Sequence, residues 1–227
     1  TNLFFGSDEL YRTDGTSNGT VLVKDLYPKG ASDPQFLTVF RSNLYFTAFD
    51  TNGLELWRSD GTSNGTVLLR NINTGGSAFA NEVDPEFEVV GTQLFFKASS
   101  GSAGEEVWRT DGTFAGTYQV RDIRSAGSSQ PRHLTALGSN GLLFAANDGT
   151  NGMELWRSDG SLAGTVLVRD IQPGLDNSSD PSPLVAYSSV VYFAATCTTN
   201  GGRELWRSDG TTAGTYLLRN LAVGDVV

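Results

Sequence analysis

The chain has 227 residues, 38% of them hydrophobic, with 27 glycines, a net charge of −9 and a sequence pI near 4.5. An acidic surface repels phosphate backbones and argues against nucleic acid as a partner, and no apolar run approaches the ~18 residues of a membrane-spanning helix. Cys197 is the only cysteine, so no intrachain disulfide forms and packing must supply the stability.

In chain order, the first β-prone run is Leu3–Phe5, followed by the segment Glu9 to Thr16 and the run Thr20–Leu26. A Gly/Ser/Pro-rich stretch then leads to Phe36–Phe40, and the cycle restarts with Leu44–Phe46, Glu55–Arg58 and Thr66–Ile72. The third unit runs through Phe87–Val90, Leu94–Phe96, Glu106 to Thr113 and Thr117–Ile123. The fourth has Leu134–Leu137, Leu142–Phe144, Glu154 to Ser161 and Thr165–Ile171, and the fifth Leu184–Tyr187, Val191–Phe193, Glu204 to Thr211 and Thr215–Leu221. The aromatic of the repeated segment falls at Tyr11, Trp57, Trp108, Trp156 and Trp206, with spacings of 46, 51, 48 and 50 residues.

These runs are short, rich in β-branched and aromatic residues and bounded by turn residues, and none shows a sustained helical period. A period near 48 residues with four antiparallel strands per unit predicts an all-β propeller of about five four-stranded blades, in preference to a parallel β-solenoid. The whole chain, 1–227, reads as one repeat domain, with blades at 1–26 (completed by the tail 222–227), 27–72, 73–123, 124–171 and 172–221. Gly61, Gly112, Gly160 and Gly210 mark the Asp-Gly-Thr hairpin turns, where glycine permits positive φ. Ring closure is the awkward point, because the first unit lacks an inner strand and the tail is short. One incomplete blade, a chain ending before its closing strand, and closure by another subunit are the three solutions; the second is favoured, since the chain begins at Thr1 without an initiator Met.

The segment Glu55-Leu56-Trp57-Arg58-Ser59-Asp60-Gly61-Thr62, with its copies at Glu154 to Ser161 and Glu204 to Thr211 and looser ones at Glu9 to Thr16 and Glu106 to Thr113, resembles the bacterial ELWxxDGT repeat family. The resemblance covers essentially the whole chain; Tyr11 in place of Trp, Val107 in place of Leu and Ser161 in place of Thr are small departures. It implies a secreted or surface-exposed bacterial protein, as does the composition, low in Lys and rich in Asn, Ser, Thr and Gly. It brings no catalytic residues.

Ten of the sixteen basic residues sit at two repeated positions, Arg12, Arg58, Arg109, Arg157 and Arg207, and Lys24, Arg70, Arg121, Arg169 and Arg219. Ten acids are the motif Glu and Asp. Regular placement of this kind predicts charge-paired or hydrogen-bonded bracing within and between blades, with Arg suited to bidentate carboxylate contacts. The motif tryptophans are expected between blades rather than stacked on sugars. His133 is the only histidine and reads as a surface residue, Cys197 reads as an unreactive loop thiol, and no catalytic constellation recurs. The sequons at Asn18 and Asn64 overlie repeat turns.

Non-repeated acids gather at Glu82, Asp84, Glu86 and Glu88; strand alternation would put them on one face, making Glu82, Asp84 and Glu86 candidates for calcium, the one cofactor the sequence suggests. Antiparallel topology places the Asp-Gly-Thr turns on one end of the propeller and the variable loops with the long crossovers on the other. Recognition resides in loops held by a rigid scaffold. The candidate ligand residues are therefore Asp50, Asn52, Ser102, Asp148, Asn151, Asn200 and Arg203 from the loops, with Asp176 and Asn177 from a crossover. The expected function is a non-enzymatic extracellular module binding a glycan or a surface protein. A self-assembling structural module is the competing expectation and a glycoside hydrolase a more distant one.

Overall fold

The computed structural model describes residues 3–80, 82–200 and 202–220. Its strands form five antiparallel sheets, each a blade of a β-propeller. Blade 1 holds β1 (Leu3–Gly6), β2 (Leu10–Thr13) and β3 (Val21–Lys24). Blade 2 holds β4 (Gln35–Phe40), β5 (Asn43–Asp50), β6 (Gly53–Ser59) and β7 (Val67–Arg70). Blade 3 holds β8 (Glu88–Val90), β9 (Gln93–Ser99), β10 (Glu105–Thr110) and β11 (Tyr118–Gln119). In blade 4 come β12 (Arg132–Leu137), β13 (Gly141–Asn147), β14 (Met153–Ser158) and β15 (Val166–Arg169). Blade 5 follows with β16 (Ser182–Tyr187), β17 (Val190–Cys197), β18 (Gly202–Ser208) and β19 (Tyr216–Arg219). Among the described residues, blade 1 alone has three strands. The tail 222–227, expected to complete it, lies outside the described residues.

The repeated hairpin turn folds from its own side chains. In blade 2 the Asp60 carboxylate accepts the Thr62 amide at 2.9 Å and the Thr62 hydroxyl at 2.7 Å, while Thr62 Oγ1 accepts the Gly65 amide at 3.0 Å. The same arrangement recurs in the other four blades. Those hydrogen bonds hold the Asp60 carboxyl below its ordinary range. The side chain also explains the downstream glycine, because a Cβ on Gly65 would run into the Asp60 carboxylate. At Gly61 φ is +90°, a conformation favouring glycine.

Alternation along each strand gives every blade two apolar faces, and the core lies between blades. Leu56, Leu69 and Ile72 point forward from blade 2 into Leu94, Phe96, Ala98 and Trp108 of blade 3. Equivalent clusters join blades 1 and 2, 3 and 4, and 4 and 5. All four tryptophans are buried in these seams, each offering a large rigid surface. Cys197 closes β17 and is buried in the seam between blades 4 and 5, a strand end rather than the expected loop.

Cations cross the seams. Arg70, Arg121 and Arg169 donate to the carbonyls of Thr117, Thr165 and Thr215 at 2.6 to 2.7 Å, and Lys24 to that of Thr66 at 2.8 Å. Arg58 donates likewise to Gly112 O at 2.7 Å. The expected bracing is present, but its acceptors are backbone carbonyls. Carboxylates are the wrong partners here because the motif Asp is consumed by its turn and the motif Glu by the crossover described next.

Candidate functional site

The motif glutamates Glu55, Glu106 and Glu154 are buried, Glu9 is half-buried, and all four hold the crossovers onto the sheets. Glu154 accepts amides from Ile171 at 2.9 Å, Gln172 at 3.3 Å and Ser179 at 3.0 Å, and the Ser179 hydroxyl at 2.7 Å. Glu106 does the same with Ile123, Arg124 and Ser129, and Glu9 with Leu26 and Ser32. Burial pushes the carboxyls of Glu55 and Glu154 up to about 7 and raises that of Glu106, with the hydrogen bonds opposing the shift. The repeated residues are thus committed to the scaffold, and recognition falls to residues that differ between blades.

The crossovers and variable loops do share one end of the propeller. Asp176 N donates to Thr150 O at 3.0 Å, joining the crossover of blades 4 and 5 to the β13–β14 loop. A Cβ on Gly53 would meet Ser77, and one on Gly101 would meet Asn73, so the other loops also lie against crossovers. Within this end the expected ligand residues are mostly engaged with their own turns. Asp50 accepts the Asn52 amide at 2.6 Å and its side-chain nitrogen at 2.9 Å. Asp148 accepts the Thr150 and Asn151 amides at 2.8 Å and Asn151 Nδ2 at 2.7 Å, hydrogen bonds that lower its pKa against the burial. Asn177 Nδ2 donates to Pro173 O at 3.1 Å, and Arg203 holds Asp180 O and Ser182. Ser102 and Asp176 are exposed. The side chain of Asn200 lies outside the described residues.

The structure brings together a different set of side chains. Glu86, Lys97, Glu105, Ser128, Gln130, Pro131, Arg132 and His133 line a cleft of about 490 Å³ where blade 3 meets blade 4 at the loop end. Lys97 lies 3.2 Å from Glu86 in an ion pair, and the second Glu86 oxygen accepts the Leu134 amide at 2.9 Å. Burial raises the Glu105 carboxyl, partly offset by Lys97. Arg132 donates to Gln130 at 3.2 Å. The charged members of the cleft break the repeat: the place of Lys97 is taken by Thr47, Ala145 and Ala194 in the other four-stranded blades, and that of Glu105 by Leu54, Met153 and Arg203. A smaller hollow of about 270 Å³ at the turn end includes the motif residues Arg109, Asp159, Gly160 and Ser161.

The calcium expectation for Glu82, Asp84 and Glu86 needs correction in its geometry. The strand begins only at Glu88, and Glu82 and Glu86 have φ of 59° and 54°, so no pleat aligns their carboxylates. Asp84 instead accepts the Glu86 amide at 2.7 Å, Glu86 faces Lys97, and Glu88 accepts the Ala136 amide at 2.9 Å. Among the described residues no group of three or more His, Cys, Asp or Glu side chains is arranged to hold a metal. His133, expected at the surface, is half-buried on β12 and lines the cleft.

No family model matches the chain, and no curated protein does. Solved structures do. A mutant puromycin hydrolase complexed with PGG is similar over 99% of this chain and 36% of its own, with a TM-score of 0.54 and 14% identity. A puromycin-hydrolyzing peptidase from Mycobacterium tuberculosis is similar over 95% of this chain and 36% of its own, with a TM-score of 0.50 and 11% identity. The chain therefore spans about a third of these proteins, and the likeness is one of propeller fold.

Proposed function

We propose that the protein is a non-enzymatic binding module, displayed outside the cell, that recognises a glycan through the cleft between blades 3 and 4 and the loops around it. One observation carries this reading: Glu86, Lys97, Glu105, Gln130 and Arg132, charged and amide side chains that break the repeat, converge on one polar cleft at the loop end. Carboxylates, guanidinium, ammonium and amide groups in one concave site suit the many donors and acceptors of a saccharide, and the repetitive scaffold holds them rigid. The composition and the resemblance to the ELWxxDGT repeats support an extracellular setting. Binding is favoured over turnover because both oxygens of Glu86 are already engaged, by Lys97 and by the Leu134 amide.

A glycan array probed with the chain, with and without calcium, tests the proposal. Selective binding is expected, weakened about tenfold or more by Arg132→Ala or Glu105→Gln, each of which removes charge from the cleft; such a loss corresponds to about 1.4 kcal/mol. Asn151→Ala, whose target is bonded to its own turn, is expected to have a smaller effect. Silence across the array, or binding indifferent to the cleft substitutions, would overturn the reading.

A further inference from the structure

Each blade has a leading face, toward the next blade, and a trailing face, toward the previous one. Four seams show what these faces bury. On the leading face the positions Leu10, Leu56, Val107 and Leu155 are at most 1% exposed, yet the same position in blade 5, Leu205, is 39% exposed. Val23, Leu69, Val120 and Val168 are at most 6% exposed, against 41% for Leu218 of blade 5. The trailing face behaves in the same way. Phe46, Phe96, Phe144 and Phe193 are at most 2% exposed, whereas Phe5 of blade 1 is 37% exposed and Leu3 is 68% exposed.

The turns give independent witness. Each of Gly61, Gly112, Gly160 and Gly210 lies against a side chain of the preceding blade: Phe4, Tyr45, Gln93 and Leu137 respectively. Gly15, the same position in blade 1, faces open space. No apolar cluster of the described residues joins blade 5 to blade 1. Among the described residues, the leading face of blade 5 and the trailing face of blade 1 are therefore uncovered. They are the two halves of a seam that the molecule builds four times internally.

We propose that the chain associates head to tail with a second copy of itself, the leading face of blade 5 in one copy packing on the trailing face of blade 1 in the next. The occupant follows from register. Leu205 and Leu218 would meet Leu3 and Phe5 as Leu155 and Val168 meet Val191 and Phe193 in the seam between blades 4 and 5. Different patches meet, so the interface is heterologous, and it closes or extends according to the arc each copy sweeps. Each copy carries a net charge of −9, so screening by salt strengthens the association.

Sedimentation velocity of the chain over a concentration series, at low and high salt, reads the association. Mass rising with concentration, and more so in salt, is expected. Leu205→Asp with Leu218→Asp blocks the leading face, and Leu3→Asp with Phe5→Asp blocks the trailing face. Each double variant alone is expected to remain a monomer. Mixed, they form a one-to-one dimer, because each retains the face the other lacks. These side chains are exposed in the single copy, so folding persists and is checked by circular dichroism. A strictly monomeric wild type, oligomers that survive either double variant, or a mixture that stays monomeric would each overturn the proposal. Glycan binding by the monomeric variants is read separately and is expected to be unchanged.

Discussion

The buried glutamate is the residue on which each crossover depends, and its protonation links the fold to pH. Glu55 and Glu154 have carboxyls raised from the ordinary 4.5 to about 7 by loss of hydration, so the folded chain binds protons that the unfolded chain has released. A group with a raised acid pKa contributes stability that is complete below about 4.5 and declines as pH rises toward about 7, levelling beyond it. The slope within that window is about 1.4 kcal/mol per pH unit for each such carboxyl. The thermal midpoint is therefore expected to fall between pH 5 and pH 7.5. General repulsion in an acidic chain has the same sign, so Glu154→Gln is the control. That variant carries no titrating carboxyl at this position, so its midpoint varies less with pH than that of the wild type. An unchanged pH slope in Glu154→Gln would remove this carboxyl as the cause.

Blades differ in how completely their motif aromatic is covered, and stability follows that coverage. Trp156 is sealed between blades 3 and 4, so Trp156→Ala empties a packed seam and is expected to cost about 3–5 kcal/mol. Tyr11 holds the same position in blade 1, where it stacks on Phe5 at 5.6 Å and is half-buried with no blade among the described residues behind it, and Tyr11→Ala is expected to cost about 1 kcal/mol. Denaturant titrations of both variants measure the difference; equal losses would mean that the trailing face of blade 1 is covered. The strands, the hairpin turns and the burial of tryptophan were legible in the sequence because each rests on local chemistry repeated five times. Two things were not. The choice between charge-paired and hydrogen-bonded bracing by Arg was not legible, because carboxylates already committed to the turns and crossovers look free in a linear chain. The cleft was missed because Glu86, Lys97, Glu105, Arg132 and His133 come from four separate segments, and the acidic run suggested a pleat that positive φ at Glu82 and Glu86 breaks. The one available signal was negative: Lys97 interrupts a position held by Thr47, Ala145 and Ala194 in the other four-stranded blades.

Among the described residues, blades 2, 3 and 4 are covered on both faces, while blades 1 and 5 are covered on one. Stability in a repeat array is close to a sum of unit terms and nearest-neighbour seams, so a terminal blade lacks about half the stabilisation that neighbours confer. Local opening then starts at the ends. Native-state hydrogen exchange at low protein concentration is expected to show slow amides in β5, β6, β9, β13 and β14, and faster exchange in β1 to β3 and in β18 and β19. Head-to-tail packing makes the gradient depend on concentration, because each association covers one leading and one trailing face. Exchange in blades 1 and 5 should slow together as the concentration rises, while blade 3 is unaffected. A gradient present at every concentration would keep the one-dimensional energetics and remove the association. Equal protection of all five blades in the dilute monomer would mean that blades 1 and 5 already cover one another within a single chain.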